Sequence, residues 1–300
     1  MQGRIMKGIA GFYFVKSGET IYRCKARGIF KKQDIKPAVG DLVEFEIIEG
    51  NDDNLITDIL PRRNSFIRPF VANVDCFVVV TAVLRPAPVQ ELVDKLLIMA
   101  EHAGTEAVLC INKCDLAADQ SKGSGRKAAA NLERLRAIYE PVYPLVLLSR
   151  DDPSGYERIL ELIHGRTAAL AGASGVGKST ILNHLLKDEL METGSVSEKS
   201  QRGRHTTRHA ELFLLDEDGT GIFDTPGFTS FAVTGIEAED LPHLYPEIER
   251  ELGRCRYDDC RHLAEPGCAV KEAVEQGRIS QARYDSYLSL IRELDEQKKY

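Results

Sequence analysis

The chain has 300 residues, with 39 Lys and Arg against 46 Asp and Glu, so its formal net charge is −7 at pH 7. This length predicts two or three domains. The excess of acidic residues argues against binding of nucleic acid by the whole surface, so local basic patches would have to make any such contact. No apolar run approaches the length of a membrane span, and the N-terminus lacks the apolar stretch of a signal peptide. We therefore expect a cytoplasmic protein with no membrane partner, whose seven cysteines are reduced.

Residues 1–65 predict a small β domain. The turn at residues 37–41 is common in five-stranded OB-fold barrels, which bind nucleic acids on one face. Period-two alternation of apolar and polar side chains predicts strands, at residues 8–15, 20–28 and 41–48. We therefore predict an N-terminal OB-fold barrel that binds RNA.

Two segments are candidate basic patches for that contact, residues 23–36 and residues 199–208. The first contains six Lys or Arg against one acid, Asp34, with Tyr22 and Phe30 beside them. This composition is typical of an RNA-contacting loop. A solvated basic hairpin with no partner is an equal alternative for residues 23–36.

Residues 72–232 alternate between predicted strands and helices, which is the pattern of an α/β domain. Residues 75–83 are almost continuously apolar, as expected for a strand of a parallel sheet that is covered on both faces. The other predicted elements are strands at 105–111, 144–148 and 167–171, and helices at 88–104, 125–139 and 156–164.

A guanine-reading loop is predicted at Asn112-Lys113-Cys114-Asp115, directly after the strand at 105–111. Ligands bind at the carboxyl ends of parallel strands, so the loop is in the right place. Asp115 can accept hydrogen bonds from N1–H and the N2 amino group of guanine, and adenine has no such amino group. Lys113 is expected to lie along the face of the base. The alternative is an ordinary helix cap formed by Asn112 or Asp115.

A phosphate-binding loop follows the strand at 167–171 and precedes an apolar helical pattern. Strand, Gly-rich loop and helix N-terminus together supply the converging N–H groups that bind a triphosphate. Lys178 is expected to reach the β- and γ-phosphates, and the Ser179 hydroxyl is expected to bind Mg²⁺. The nine residues of the predicted loop are Gly172, Ala173, Ser174, Gly175, Val176, Gly177, Lys178, Ser179 and Thr180.

The order of the motifs predicts a circular permutation. The guanine loop comes first, then the phosphate loop, then Thr206 and Thr207, and then a segment that begins at Asp224 and ends at Gly227. In an ordinary GTPase the phosphate loop precedes the guanine loop. Asp224 has the spacing of a Mg²⁺-linked carboxylate, and the Gly227 N–H is expected to face the γ-phosphate. The γ-phosphate-sensing segment therefore runs directly into the C-terminal domain.

Residues 233–300 predict a mainly α-helical domain that binds one structural zinc ion. Three thiols and an imidazole lie within fourteen residues, which is Cys₃His spacing with no open coordination position. The alternative is a set of unrelated surface residues. Residues 278–300 predict an amphipathic helix with Tyr287, Ile291 and Leu294 on one side, which favours a packing helix over the alternative of an RNA-contacting helix. The expected zinc ligands are Cys255, Cys260, His262 and Cys268.

Taken together, these motifs closely resemble the RsgA (YjeQ/YloQ) family of small-ribosomal-subunit-dependent GTPases over essentially the whole chain. The resemblance implies an OB-fold domain, a circularly permuted GTPase domain and a zinc domain. It implies GTP and GDP as ligands, Mg²⁺ with GTP, and the 30S subunit with its 16S rRNA as partners in late maturation. We expect a monomer. One departure is Ser149-Arg150, where the family usually has Ser-Ala, so a backbone role is expected at that loop.

Within that family, slow intrinsic hydrolysis is expected because Phe228, rather than a water-orienting Gln, follows Gly227. A Mg²⁺ ligand at Thr206 or Thr207 would carry His205 close to the γ-phosphate, where its imidazole can hold a water. The expected catalytic residues are therefore His205 and Lys178. An exposed loop residue and an rRNA phosphate contact are equal alternatives for His205, although the resemblance favours catalysis. The alternative function is a GTP-gated RNA-binding scaffold with incidental hydrolysis.

Overall fold

The computed structural model describes residues 1–28, 30, 35–51, 53–192, 210–224 and 235–298. The strands are β1 (Gln2–Ile9), β2 (Phe12–Ser17), β3 (Thr20–Ala26), β4 (Leu42–Glu46), β5 (Asn54–Ile59), β6 (Ser65–Ile67), β7 (Phe70–Ala72), β8 (Cys76–Ala82), β9 (Glu106–Asn112), β10 (Leu145–Leu147), β11 (Thr167–Ala171), β12 (Glu211–Leu214) and β13 (Gly221–Asp224). The α-helices are α1 (Gln90–His102), α2 (Gly123–Tyr139), α3 (Ser154–Ile163), α4 (Lys178–Glu192), α5 (Pro246–Glu249), α6 (Ala269–Glu275) and α7 (Gln281–Gln297). Short 3₁₀ helices cover Cys114–Ala117 and Leu241–Leu244.

The described residues form two compact units. The barrel unit comprises those within Met1–Val78, Tyr156–Ala171 and Gly177–Thr229. The guanine unit comprises those within Val79–Gly155, Gly172–Val176 and Ser230–Tyr300. The domain boundaries at 1–65, 72–232 and 233–300 stay a prediction. Among the described residues, no helix has the length and apolar character needed to cross a membrane.

A closed five-stranded barrel forms the first part of the barrel unit and confirms the predicted N-terminal β domain. Its strands are ordered β1-β2-β3-β5-β4, and β1 also pairs with β4. The alternation of apolar residues places one face of each strand inside, where the side chains are buried. The interior side chains include Ile5, Val15, Cys24, Val43, Phe45 and Ile56.

The prediction of one strand across residues 8–15 was wrong. Ile9 pairs with Phe12, and the two residues between them form the turn of a hairpin that joins β1 to β2. Ala10 and Gly11 have φ angles of 49° and 84°. Two consecutive residues with positive φ form the tight turn that matches the twist of a hairpin, and the apolar alternation on either side concealed it.

The barrel joins the α/β part of the same unit through a shared sheet. β1 pairs antiparallel with β12, β12 pairs antiparallel with β13, and β13 pairs parallel with β11. Lys7 lies opposite Glu211, and their side chains form an ion pair of 2.9 Å. Gly40 fixes a second contact, because a Cβ at this position would lie 2.1 Å from the Ala72 carbonyl oxygen and 2.9 Å from the Phe223 ring. Only glycine fits there, and its φ is 95°.

The guanine unit contains most of β8, the parallel pair β9 and β10, and the C-terminal helices. β8, β9 and β10 are neighbours, and β8 and β9 are buried along almost their whole length, as the apolar sequence predicts. The alternation of strands and helices confirms the predicted α/β fold. The C-terminal segment confirms a mainly helical domain with a core of its own, to which Ile98 of α1 also belongs. Three predicted core residues of α7 are buried in it, Tyr287, Ile291 and Leu294.

A buried ionic cluster fastens α7 to α1 and α5. Arg283 is 0% exposed, and its guanidinium donates to Asp94 Oδ1 and Glu247 Oε1, at 2.6 Å in each case. The Tyr139 hydroxyl donates to the same Asp94 oxygen at 2.7 Å, and the Tyr245 ring centroid lies 4.5 Å from the guanidinium carbon. Burial by itself lowers the pKa of Arg283, but Asp94 and Glu247 outweigh it and raise that pKa well above its usual value. The cation therefore stays charged inside the protein.

Replacing this cation tests how much the cluster contributes to stability. Arg283→Met would leave the carboxylates of Asp94 and Glu247 buried without a counter-charge, so we expect the free energy of unfolding to fall by about 3–5 kcal/mol. Urea unfolding followed by circular dichroism measures the loss. Arg292→Met, at an exposed position of the same helix, is the matched control and should change stability little. Equal unfolding midpoints for the two variants would contradict the structural role of Arg283.

Candidate functional site

The predicted guanine loop is fastened to the phosphate loop inside the guanine unit. The Asn112 amide donates to the Val176 carbonyl oxygen at 2.8 Å, and the Asn112 Oδ1 accepts the Lys113 N–H at 2.7 Å. Lys113 has a left-handed backbone with φ 63°, and its ammonium donates to the Gly175 carbonyl oxygen at 2.7 Å. The same ammonium donates to the Arg85 carbonyl oxygen. These bonds hold two loops together that are 64 residues apart in the chain.

Asp115 and the loop after β10 lie side by side. The Arg150 N–H donates to Asp115 Oδ1 at 3.4 Å, and the Asp151 N–H donates to the Ser149 hydroxyl at 3.2 Å. The structure thus brings Ser149 and Arg150 to the carboxylate that is expected to read guanine. Burial raises the pKa of Cys114 to about 11, so this thiol stays neutral. Its N–H donates to the Leu148 carbonyl oxygen at 2.9 Å, which fixes the backbone of the guanine loop.

The first part of the phosphate loop, residues 172–176, also belongs to the guanine unit. Gly172 and Gly175 have φ angles of 143° and 78°. A Cβ on Gly172 would lie 2.1 Å from the Val80 carbonyl oxygen, so the loop passes too close to β8 for any side chain. Val176 is buried, whereas Ser174 and Gly175 are exposed. This part of the loop is therefore buried at Gly172 and Val176 and exposed to solvent between them.

The second part of the phosphate loop lies in the barrel unit, where Lys178 begins α4. The Ile181 N–H donates to the Gly177 carbonyl oxygen at 3.0 Å, while Ser179 and Thr180 are exposed in the first turn. Burial lowers the pKa of Lys178 from its ordinary value. Asp224 ends β13, which runs parallel to β11 with Phe223 opposite Ala169. Asp224 therefore lies at the carboxyl edge of this strand pair, where α/β proteins bind ligands.

Several predicted residues lie outside the described part of the chain. They comprise His205, Thr206, Thr207, Gly227 and Phe228. The roles given to them stay predictions, as does the basic patch at residues 199–208.

The four expected zinc ligands are brought together in the guanine unit. Their ligand atoms all lie within 4.8 Å of one another, and His262 Nδ1 lies 3.6 Å from Cys255 Sγ and 3.4 Å from Cys268 Sγ. A tetrahedral ion with Zn–S bonds of about 2.3 Å and Zn–N bonds of about 2.0 Å needs its ligands roughly 3.5–3.8 Å apart. The cluster, which also includes Cys260, therefore fits a metal ion.

Two tyrosines of helix α7 hold the backbone of the loop that carries the expected metal ligands. The Tyr284 hydroxyl donates to the His262 carbonyl oxygen at 2.8 Å, and the Tyr287 hydroxyl donates to the Arg261 carbonyl oxygen at 2.7 Å. Burial raises the pKa of Cys260 to about 12 and lowers the pKa of His262. Without metal the Cys260 thiol is protonated and the imidazole is neutral, so binding a metal must displace thiol protons.

The basic segment of the barrel differs from its prediction at one aromatic residue. Phe30 is only 4% exposed, so its ring belongs to the core and cannot stack on RNA bases. Arg23 and Lys25 both pair with Asp53, at 2.6 and 2.8 Å, and both lie over the Phe12 ring. Asp53 lies outside residues 23–36, so a count of the charges within that segment does not include the one negative charge that offsets part of its positive charge.

Sequence reasoning also missed the loop between β8 and α1. The Arg85 carbonyl oxygen of this loop accepts the Lys113 ammonium, and Ala87 and Val89 line a small cavity together with Gly172 and Ala173. The two prolines near Arg85 predict a turn here. Nothing in the local pattern indicates that this turn contacts the phosphate loop.

Comparisons with known proteins agree with these motifs over the full length. Residues 59–234 match the family model described as RsgA GTPase, and residues 2–55 match the RsgA N-terminal domain. A protein of Agathobacter rectalis named small ribosomal subunit biogenesis GTPase RsgA is 44% identical, with 100% of both chains covered. A protein of the same name from Alkaliphilus metalliredigens is 42% identical, over 100% of this chain and 99% of its own.

Two solved structures are similar as well. YjeQ from Thermotoga maritima is 34% identical, covers 98% of each chain and has a TM-score of 0.82. YloQ, described as a circularly permuted GTPase, is 32% identical over 99% of this chain and 95% of its own, with a TM-score of 0.79. The permuted motif order predicted from the sequence is therefore also the arrangement of a solved relative.

Changing the base-reading carboxylate tests the guanine loop. We expect Asp115→Asn to lower the affinity for guanine nucleotides at least tenfold, about 1.4 kcal/mol, and to raise the affinity for xanthine nucleotides. Xanthine has a carbonyl where guanine has its N2 amino group, so an amide can donate to it. Fluorescence titration with labelled GDP and XDP measures both affinities. Asp119→Asn, at an exposed carboxylate nearby in the sequence that bonds Ser121, is the control. Unchanged GDP affinity in Asp115→Asn would remove Asp115 from the base site.

Proposed function

We propose that this chain, which belongs to the RsgA GTPase family, hydrolyses GTP during biogenesis of the small ribosomal subunit. Contact with that subunit would stimulate the hydrolysis. The observation that carries the proposal is the bond set that ties Asn112 and Lys113 to Val176 and Gly175. It joins a base-reading loop to a phosphate-binding loop, as the binding of one nucleotide requires. The relatives that bear the name small ribosomal subunit biogenesis GTPase match this chain from end to end, which supports the same role here.

Asp115 would select guanine. Its carboxylate would accept hydrogen bonds from N1–H and the N2 amino group, and it also accepts the Arg150 N–H. Lys113 would lie along the base while its ammonium stays on the Gly175 carbonyl oxygen. The backbone of Cys114 completes the loop. Charge-assisted hydrogen bonds of this kind discriminate strongly, because a base without the donors leaves the carboxylate unpaired.

The phosphate loop would bind the phosphates through backbone N–H groups at the start of α4, where the helix dipole favours negative charge. Lys178 would neutralise the β- and γ-phosphates. A bound Mg²⁺ would offset the charge that develops on the phosphates during transfer. Ser179 and one of Thr206 or Thr207 would bind that ion. The carboxylate of Asp224, at the end of β13, would be linked to the same ion. The Gly227 N–H would face the γ-phosphate.

The attacking water needs a polar group to orient it, and Phe228 offers none. We assign this role to His205, whose neutral imidazole can accept a hydrogen bond from water. Positioning without strong activation would make intrinsic hydrolysis slow, and contact with the small subunit would stimulate it. Catalysis of phosphoryl transfer depends mostly on positioning the reacting groups. A partner that positions the water should therefore raise the rate of GTP hydrolysis strongly.

The partner would be the small subunit itself, contacted through 16S rRNA by a cytoplasmic monomer that needs no membrane. Two features support an RNA contact despite the net charge of −7. An OB-fold barrel has a face that binds nucleic acid, and the basic segments at residues 23–36 and 199–208 supply local positive charge. Arg23 and Lys25 lie over the Phe12 ring and share one carboxylate, that of Asp53, so the group keeps one net positive charge beside an aromatic ring.

The metal of the Cys₃His cluster would be one zinc ion with a structural role. Three thiolates and an imidazole are a ligand set that zinc prefers, and four protein ligands leave no position for a reacting water. The Ala269 N–H donates to Cys255 Sγ at 3.4 Å, a bond that stabilises a thiolate ligand. The ion would lock the loop between α5 and α6, a segment too short to build a core of its own.

Turnover with and without the partner tests the proposed function. We expect slow multiple-turnover GTP hydrolysis by the protein alone and at least a tenfold increase in kcat, about 1.4 kcal/mol of barrier, when purified 30S subunits are added. Phosphate release is the measurement, with 50S subunits as the control. GTP binding without stimulation would contradict the proposal and would favour a GTP-gated RNA-binding scaffold.

His205→Ala tests the catalytic assignment. The 30S-stimulated kcat should fall at least tenfold, about 1.4 kcal/mol of barrier, while GTP affinity and 30S binding hold, because only the water loses its partner. His243→Ala, at an exposed histidine elsewhere, should leave the rate unchanged. Weakened 30S binding with a normal rate at saturation would make His205 an RNA contact instead.

Metal analysis tests the cluster. One equivalent of zinc should co-purify with tag-free protein, and Cys260→Ala should lose it and unfold the C-terminal segment while GDP binding persists. A chelator should have the same effect on the native protein, because structural zinc contributes to folding. Cys76→Ala, at a buried cysteine outside the cluster, should keep its zinc. A metal-free native protein with a folded C-terminal segment would disprove the site.

A further inference from the structure

Arg85 stands at the tip of the loop that connects β8 to α1. The start of this loop is fixed by the Val83 N–H, which donates to the Asn112 carbonyl oxygen at 3.1 Å, and by the Val83 carbonyl oxygen, which accepts the Asn131 amide at 2.9 Å. Arg85 itself has a φ of 56°. Left-handed backbone is uncommon for residues other than Gly, Asn and Asp, so the surrounding contacts must hold Arg85 in it.

The contacts that hold Arg85 lead directly to the predicted phosphate loop. The Lys113 ammonium donates both to the Arg85 carbonyl oxygen and to the Gly175 carbonyl oxygen, the latter at 2.7 Å. The two carbonyl groups are therefore neighbours that share one donor. Next in the chain, Pro86 places its Cδ 3.8 Å from the position that a Cβ on Gly175 would occupy. The tip of the loop therefore packs against the middle of the phosphate loop.

The side chain of Arg85 is exposed and makes no hydrogen bond or ion pair with the described residues. Other arginines of the chain are paired, for example Arg136 with Glu140 and Arg158 with Glu161. An unpaired guanidinium beside a loop that is expected to bind phosphate raises the local positive potential, which attracts phosphate groups. The long stem lets the charge move while the backbone stays fixed by Lys113.

We infer that Arg85 is a nucleotide-binding residue, whose guanidinium contributes positive charge to the phosphates of bound GTP and GDP. The inference rests on the proposed function, because it needs the nucleotide to occupy the loop at residues 172–180. Lys113 would then do two things, contacting the base and fixing the backbone from which Arg85 extends. Since GDP and GTP share their α- and β-phosphates, the contribution should be similar for the two nucleotides, and it should weaken with salt.

Three substitutions separate the charge of Arg85 from its backbone. Arg85→Asn and Arg85→Gly remove the charge with residues that tolerate a left-handed backbone, so the carbonyl oxygen can still accept Lys113. Arg85→Lys keeps the charge. Arg136→Asn removes one exposed charge from the same unit and is the matched control. Each full-length variant is titrated with fluorescent GDP and with a fluorescent non-hydrolysable GTP analogue, at low and at high salt.

The expected result at low salt is a roughly tenfold loss of affinity for both nucleotides in the Asn and Gly variants, or about 1.4 kcal/mol. The affinities of the Lys variant and of the Arg136 control should stay within about twofold of the wild-type affinity. High salt should reduce the difference in affinity between the wild type and the Asn and Gly variants. Wild-type affinity in the Asn and Gly variants would overturn the inference, as would a Lys variant as weak as they are. A wild-type protein that binds neither nucleotide would overturn the proposed function, and this inference with it.

Discussion

The structure depends on the noncovalent bonds that join the guanine loop to the phosphate loop. A circular permutation places the two loops in an unfamiliar order, and two side-chain bonds help to fix the distance between them. Asn112 fixes it by donating to Val176, and Lys113 fixes it by donating to Gly175, with both donors near 2.8 Å from their acceptors. Asn112 is buried, so its unpaired amide would be costly and the bond is strongly favoured. These bonds keep the predicted base-reading loop beside the predicted phosphate-binding loop.

A buried cation attaches the C-terminal helices to helix α1. This cation is Arg283, which binds Asp94 of α1 and Glu247 of α5 within the guanine unit. Val93, next to Asp94, lines the cavity that Gly172, Ala173 and Val176 also line. Helix α1 therefore contacts the phosphate loop on one side and the C-terminal core on another.

Features that are local in sequence could be predicted, and features that join distant residues could not. The strand Thr167–Ala171 and the guanine loop depend on a few consecutive residues, and the Cys₃His ligands lie within fourteen. Arg283 and Asp94 are 189 residues apart, and Lys7 and Glu211 are 204 apart. No local pattern indicates such pairs, because they depend on packing. Phe30 shows the same limit, since its basic neighbours indicate a surface loop while the barrel interior buries its ring.

The central claim is that this permuted chain holds one guanine nucleotide between its base-reading and phosphate-binding loops. Calorimetric titration of the native protein with GDP and, separately, with ADP in the presence of Mg²⁺ tests it most directly. Two hydrogen bonds to a carboxylate are worth at least about 2.7 kcal/mol together, so GDP should bind at a single site roughly a hundredfold more tightly than ADP. Equal affinities for GDP and ADP, or no binding of either, would contradict the account.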